Sequence, residues 1–318
     1  MDVAVIGAGV MGLSTAILLR ENGLDAHVLA AKPPQETTSS VAAAIWYPYK
    51  ASPEDRIIVW GKRAYEAFER LSHESATGIH MRDGVELHYE SAPPPFWASA
   101  VPDVRRVAPE ELPSGRRDGY AFTVPVIEMP IYLRYLVERF EASGGTIGHR
   151  EVDSMESVAQ EAQTVVNCAG LGAGELVGDG ATHPIRGQIV RVRNPGLTNF
   201  ILDDENPEGV TYIIPRSEDC ILGGTADEGD WDLDPDSTVA EGILSRCVSL
   251  EPRLAEAEVL EHKVGLRPGR PEIRLETEEL SGGTHCVHNY GHGGSGVTLS
   301  WGCAEEVTGL VRETSGFE

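Results

Sequence analysis

Four glycines fall within six residues of His288-Asn-Tyr-Gly-His-Gly-Gly-Ser-Gly-Val-Thr298, a density that lets backbone amides approach a bound group closely. An anion or an electron-rich ring suits such a turn, although any sharp hairpin also calls for glycine. A second candidate, Gly7-Ala-Gly9-Val-Met-Gly12, has the spacing that admits a pyrophosphate at a helix start. The third is the arginine of Gly265-Leu-Arg-Pro268, because a guanidinium fork matches a carboxylate in a two-pronged way that lysine cannot. Arg267 is thus a candidate carboxylate holder, set against the ordinary role of arginine as a surface ion-pair partner. His288 and His292 are four apart, as two metal ligands on a helix face would be. Gly291, Gly293 and Gly294 argue against a helix there, so no metal site is expected.

These residues need a scaffold, and the apolar patterning supplies one. An apolar run over 2–6, the glycine motif, a helical run from Leu13 to Glu21 and a second apolar run, Ala26-His-Val-Leu-Ala30, make a β-α-β unit. In that context the first glycine permits the tight turn, the second admits the pyrophosphate and the third allows helix-on-strand packing. The acidic residue that should follow the second strand and bind a ribose hydroxyl is missing: the chain reads Ala30-Ala31-Lys32. Lys32 either contacts the ribose region or a 2′-phosphate, or is an exposed lysine at a strand end.

Residues 51–130 change character, with an amphipathic segment from Ile57 to Leu71, proline-rich loops and a strand near Gly119 to Val124. They read as an insertion with its own surface. A helix from Ile131 to Ser143 and a buried strand over Gln163 to Gly170 return the chain to the nucleotide fold. Alternating runs from Gly187 to about Val264 predict an antiparallel sheet facing a cavity. Thr284 to His288 and Val297 to Arg312 supply the last strand and helix. The predicted class is α/β: a discontinuous Rossmann-like domain over 1–50, 131–187 and 265–318, and a second domain, built on a large antiparallel or mixed sheet, over 51–130 and 188–264.

The 318 residues are 41% hydrophobic and carry a formal net charge of −24, so the long-range field repels nucleic acid and anionic membranes. No apolar run is long enough to span a bilayer, and the amino terminus has no basic region ahead of a long apolar stretch. The carboxyl terminus, Thr314-Ser-Gly-Phe-Glu318, is no peroxisomal or retention address, so the expected location is cytoplasmic. Cys168, Cys220, Cys247, Cys286 and Cys303 are odd in number and scattered, which favours buried free thiols and leaves one disulfide open.

Taken with Thr37-Thr-Ser-Ser-Val-Ala-Ala-Ala-Ile-Trp46, Arg186-Gly-Gln-Ile189 and Thr211-Tyr-Ile-Ile-Pro215, the three motifs resemble those of the D-amino-acid oxidase family, in family order and nearly end to end. The resemblance implies FAD as cofactor. It places Gly7, Ala8, Gly9, Val10, Met11 and Gly12 at the pyrophosphate, with Thr37 and Thr38 supplying hydroxyl donors and Ser39 beside them. Ala42, Ala43, Ala44 and Ile45 lie flat against the ring, Ala44 standing where the family usually has glycine. Ala31, Lys32, Val152, Ala169 and Gly170 fall toward the adenosine. Gly291, Gly293, Gly294, Ser295, Gly296, Val297 and Thr298 serve the ring's polar edge, where helix-start amides meet the charge of reduction. Arg267, beside the ring as well, and Tyr212 hold the substrate carboxylate, Gly294 offers its carbonyl to the amine, and Tyr47, Tyr49, Ile45 and Ile214 complete the pocket.

The implied reaction is oxidative deamination of D-amino acids by hydride transfer to the flavin, with no side-chain base. Oxygen is the second partner and hydrogen peroxide a product; the oligomeric state stays open, a homodimer among the options. Three departures touch specificity: a short segment Asp203 to Tyr212 without a second tyrosine, Tyr47 where glutamine is usual, and Ser295 where an aromatic is usual. Asp203, Asp204, Glu205 and Glu208 disfavour acidic substrates, so neutral, bulky or branched ones are expected. The alternatives are a glycine or sarcosine-type amine oxidase, an NAD(P)-dependent dehydrogenase, and a non-catalytic flavin-binding protein.

Overall fold

The computed structural model describes residues 1–315. The tail read above for address signals extends past them, outside the described residues. Strands β1 (Val3–Ile6) and β2 (Ala26–Ala30) flank helix α1 (Val10–Glu21) in the opening unit. Then come α2 (Glu54–Leu71), β3 (Ile79–His88), β4 (Arg105–Arg106), β5 (Asp118–Ile127), α3 (Met129–Ala142), β6 (Ile147–His149), α4 (Met155–Ala159), β7 (Thr164–Asn167) and α5 (Gly172–Val177). The middle of the chain lays down β8 (His183–Arg193), β9 (Phe200–Asp203), β10 (Thr211–Pro215), β11 (Asp219–Gly223), β12 (Asp227–Glu228) and α6 (Ser237–Leu250). Last are β13 (Val259–Gly269), β14 (Arg274–Glu279), β15 (His285–Tyr290) and α7 (Gly296–Ser315).

The first sheet runs β14-β15-β7-β1-β2-β6, parallel except for the antiparallel edge strand β14. Both faces of its central strands are covered, which is why β1 reads as an unbroken apolar run and β2 and β7 as largely apolar ones. Along β1, Val3 and Val5 enter the large core with α1, α2, α3 and α7, while Ala4 and Ile6 enter a smaller one with Met155 and Val158 of α4. Helix α1 ends where Gly23 adopts φ +84°, a left-handed turn that glycine takes without steric cost.

The second sheet has nine strands. Its path is β12-β8-β11-β10-β9-β3-β5-β4, with β13 paired along the length of β8. All pairings are antiparallel but β3 with β9, so it is mixed, as expected. Helix α6, capped by the Asp236 carboxylate at the amides of Thr238 and Val239, covers one face. Val190, Val192, Ile213 and Leu222 pack beneath it. Their neighbours in the alternation, Ile189, Tyr212, Ile214 and Ile221, turn to the opposite face.

Two expectations change. Residues 51–130 are not an insertion with a surface of their own: β3, β4 and β5 extend the second sheet, while Ile57, Trp60, Ala64 and Phe68 of α2 share the core of α1 and α7. The joints expected at 187/188 and 264/265 fall inside β8 and β13, so Arg267 stands on a strand of the second sheet. The alternation of these strands runs unbroken through both joints, leaving no composition change to mark them. All five cysteines are free and buried.

Candidate active site

A cavity of 1250 Å³ runs from the ends of β1, β2 and β7 to the open face of the second sheet. That exceeds the roughly 300–1,000 Å³ of a typical small-molecule site, leaving room for a cofactor and a second ligand. At one end lie Gly7, Ala8, Gly9, Val10 and Met11, where the chain leaves β1 and starts α1. A Cβ on Gly7 would come within 2.4 Å of the Cys168 carbonyl oxygen, and one on Gly12 within 1.9 Å of the Gly7 carbonyl oxygen. The first turn of α1 holds no acidic residue, so its amides offer an uncompensated positive end. This is a cradle shaped for phosphate oxygens.

The expected hydroxyl donors behave differently. Thr37 donates to the Pro34 carbonyl at 2.7 Å and Thr38 to that of Leu266 at 3.1 Å, so both protons are committed although both residues line the cavity. Ser39 accepts from the Val10 amide at 3.0 Å and ties this loop to the start of α1. Ala42, Ala43, Ala44 and Ile45 form a smooth wall. Ala44 has φ +58°, the left-handed region, which explains why glycine suits its position. Ala31, Lys32, Val152, Ala169 and Gly170 line the cavity on the Gly7 side, with Lys32 exposed. The acid missing after β2 has neighbours in space: β6 pairs with β2, Ala30 opposite His149, and the chain just beyond brings Glu151 and Asp153 to the same wall.

In the second glycine-rich turn, Gly293, Gly294, Gly296 and Val297 line the cavity. Gly12, Gly291, Ser295 and Thr298 lie outside its lining. Gly12 is taken up by packing on Gly7, and Gly291 by the Arg270 side chain, 2.8 Å from where its Cβ would be. Ser295 accepts from the Tyr49 amide at 2.7 Å and donates to its carbonyl at 2.9 Å; Thr298 does the same for Tyr47, at 3.1 and 3.0 Å. These two hydroxyls fix the segment that carries Tyr47 and Tyr49. Gly293 and Gly294 let it pass, since Cβ atoms there would meet the Lys50 carbonyl oxygen at 2.1 Å and the Tyr49 ring at 2.6 Å. His292 is fully buried, and burial pushes its imidazole down to about 3, so it is neutral.

Arg267, Tyr212, Tyr47, Tyr49, Ile45 and Ile214 come together at the other end of the cavity. The Arg267 guanidinium lies over Gly187, where a Cβ would stand 2.3 Å from Nη1, and Nη1 donates to the Thr225 carbonyl at 3.1 Å. The Tyr212 ring lies over its cross-strand partner Gly223, where a Cβ would be 1.9 Å from Cζ. Each polar head is thus held flat above a residue without a side chain. Burial raises Tyr212, carries Tyr47 well above the ordinary phenol range and pushes Tyr49 up to about 12, so all three are neutral hydroxyls. The Tyr47 hydroxyl donates to Glu86 at 2.9 Å, and burial raises the Glu86 carboxyl in turn. Of the acids between β9 and β10, Asp204 alone lines this cavity, and burial, joined by nearby Glu86, pushes its carboxyl up to about 7. Gly223, Thr225 and Glu86 carry no motif of their own, and Gly187, although it stands in Arg186-Gly-Gln-Ile189, has no role assigned by it. Only their place beneath or beside Arg267, Tyr212 and Tyr47 marks them.

Residues 2–310 match the model of the DAO family, described as FAD dependent oxidoreductase. A D-amino-acid oxidase of Rubrobacter xylanophilus is 59% identical over 96% of this chain and 94% of its own length. A D-aspartate oxidase of Homo sapiens is 37% identical, over 98% and 94%. Among solved structures, glycine oxidase from Geobacillus kaustophilus superposes with a TM-score of 0.82 over 98% of this chain and 94% of that one, at 20% identity. That last likeness is one of fold.

Proposed function

The chain belongs to the DAO family of FAD-dependent oxidoreductases, and from that premise we propose that FAD lies along the cavity and a D-amino acid at its Arg267 end. The protein is an FAD-dependent oxidase of D-amino acids. The observation that carries the placement is the pairing of Arg267 and Tyr212 over Gly187 and Gly223. A guanidinium and a neutral hydroxyl are held together in the cavity onto which the glycine cradle opens.

The Gly7 to Met11 turn would receive the pyrophosphate, and Ala42 to Ile45 a flat ring face. The amides of Gly293, Gly294, Gly296 and Val297 would meet the ring's polar edge, with Arg267 beside it. Ala31, Lys32, Val152, Ala169 and Gly170 would border the adenosine, with Glu151 and Asp153 as acceptors for ribose hydroxyls. When bound, FAD would supply the hydride acceptor for the substrate Cα, with oxygen taking up the electrons as hydrogen peroxide and water hydrolysing the released imino acid to an oxo acid and ammonia. Arg267 and Tyr212 would hold the carboxylate and the Gly294 carbonyl the amine, fixing which face of Cα is presented. Gly12, Gly291, Ser295 and Thr298 support these residues from behind.

Ile45, Ile214, Leu202 and Val210 give the substrate end an apolar lining, and Asp204 sets a carboxyl among them. Lys263, on the same strand face as Arg267 but four residues away, is roughly 13 Å off and pairs with Glu261 at 3.4 Å. Neutral side chains therefore fit better than acidic ones. Among the described residues no helix is long and apolar enough to cross a membrane, and five unpaired cysteines suit a reducing cytoplasm. A peroxide-release screen of D- and L-amino acids tests the reading, with Arg267→Ala as the decisive variant. We expect D-alanine or D-valine to be oxidised faster than D-aspartate. The variant should keep its yellow colour but lose about a hundredfold or more in kcat/KM. Turnover of D-aspartate ahead of both neutral substrates, or full activity in the variant, overturns it.

A further inference from the structure

Strand β9 and its continuation alternate. Leu202 faces the cavity across from Tyr212, Asp203 turns to the opposite side and pairs with Arg116 at 2.6 Å, and Asp204 turns back to the cavity. Two adjacent carboxylates thus meet opposite fates. Asp203 has a buried guanidinium within hydrogen-bond reach; Asp204, among the described residues, has no cation within ion-pair distance. The charged and titratable groups around Asp204 are Glu86 from β3, Tyr47 and Tyr49 from the segment after the Ala42–Ile45 wall, Tyr212 from β10, and Asp203 and Glu205 on its own segment; Lys50, Glu208 and, from α6, Arg246 share a neighbouring cavity wall with it. Arg267 from β13 is the guanidinium that faces Tyr49 and Tyr212 in the same cavity. A cavity end that sets a carboxyl group opposite a guanidinium has the charge pattern of a zwitterion, reversed.

We propose that Asp204 recognises the α-ammonium group of the incoming amino acid and takes its proton, a role that rests on the oxidase reading above. One N–H bond of the ammonium breaks and one O–H bond forms on the Asp204 carboxylate. The nitrogen keeps the electron pair, so the substrate stands as a neutral amine with its carboxylate on Arg267. The reaction needs that form, because an ammonium nitrogen has no lone pair to drive hydride loss from Cα. Asp204 also stands, with Tyr49 and Val210, in the wall of a second cavity of 740 Å³ that reaches the exposed Asp227 and Thr238. That cavity gives the proton a way to solvent. A carboxyl near neutrality suits such transfer, and burial holds Asp204 there.

The test compares the holoenzyme with its Asp204→Asn variant, using D-alanine, D-lysine and propionate, which is D-alanine without its ammonium. Wild-type peroxide release with D-alanine establishes the oxidase reading separately. The expected result is a loss of about tenfold or more in kcat/KM for D-alanine and D-lysine alike, with propionate binding, followed by the flavin spectrum, changed less than about twofold. The wild type should also show an acid limb of kcat/KM centred near pH 7 that the variant lacks. Unchanged kcat/KM, or a loss confined to D-lysine, overturns the proposal; the latter makes Asp204 a reader of side chains. Equal weakening of propionate overturns it too, by showing that Asp204 only shapes the pocket. Asp204→Glu, which restores the carboxyl, should recover part of the D-alanine activity and none if the role is steric.

Discussion

Ala44 puts two demands in conflict at one residue. Its methyl group lies in the wall proposed for the ring, while its backbone sits at φ +58°, where an L-residue is strained by about 1–2 kcal/mol. Glycine would relieve that strain but give up roughly 0.5–1 kcal/mol more chain entropy on folding, so Ala44→Gly should stabilise the protein by up to about 1 kcal/mol. A urea midpoint that falls, at unchanged slope, would contradict this. The same scale shows what the sequence could and could not disclose. Arg267 and Tyr212 were legible because each sits in a motif. The glycines were not legible as platforms, Gly187 included although it too stands in a motif, because a flat spot in a strand becomes visible only once the fold lays a side chain over it, as with Tyr212 over its partner Gly223 and Arg267 over Gly187. The part that Thr298 and Ser295 play in fixing the Tyr47–Tyr49 segment was hidden for a related reason: only the passage of that segment beside the turn shows where their hydroxyls are spent.

At the scale of elements, the helix pair α2 and α7 joins what patterning had separated. Helix α2 carries Glu54 and Asp55 in its first turn and Arg70 in its last, charges that favour both ends of a helix, and its apolar face was plain in the sequence. Which core that face would enter was not, since amphipathicity specifies a buried side and not a partner. The contact is close because Gly302 of α7 meets the backbone of Trp60, whose carbonyl oxygen would be 2.1 Å from an added Cβ. Trp60 in turn donates from its indole to Glu306 of α7 at 2.6 Å. Gly302→Ala should therefore force the helices apart and cost about 1–3 kcal/mol, read as a lower denaturant midpoint. An unchanged midpoint would mean that the helices adjust without loss. Since α7 begins at the cavity with Gly296 and Val297, the variant should also bind FAD less tightly.

Over the whole molecule, a formal charge of −24 coexists with buried carboxyls, and the two respond to pH in the same direction over one range. Asp204 is raised to about 7 in the folded protein, so the folded state holds that proton more firmly than the unfolded chain. Its burial costs stability progressively as pH rises from the ordinary aspartate value through about 7, and acidification across that window restores it. Asp179 runs the other way: hydrogen bonds from Arg270, Tyr290 and the Ala181 amide draw it down to about 2 against its burial, so the stability it contributes is lost only as pH falls below the ordinary range. Tm should accordingly rise as pH is lowered from 8 to about 5, then fall below about 4. Added salt should raise Tm at pH 8 by screening the excess negative charge. A Tm that falls steadily from pH 8 to 5 would show that these carboxyls do not govern acid behaviour.

The thiols have a consequence for the working life of the catalyst. Each turnover releases an oxidant inside the molecule, and the sulfur species that peroxide attacks is the thiolate. Cys168 lines the cavity proposed for that chemistry, yet burial pushes its thiol up to about 12, as it does for Cys220, Cys247 and Cys286, and raises Cys303 well above the ordinary thiol range. The chain keeps all five cysteine sulfurs in the form its own by-product attacks least, a tolerance to self-inflicted damage at its thiols set by packing alone.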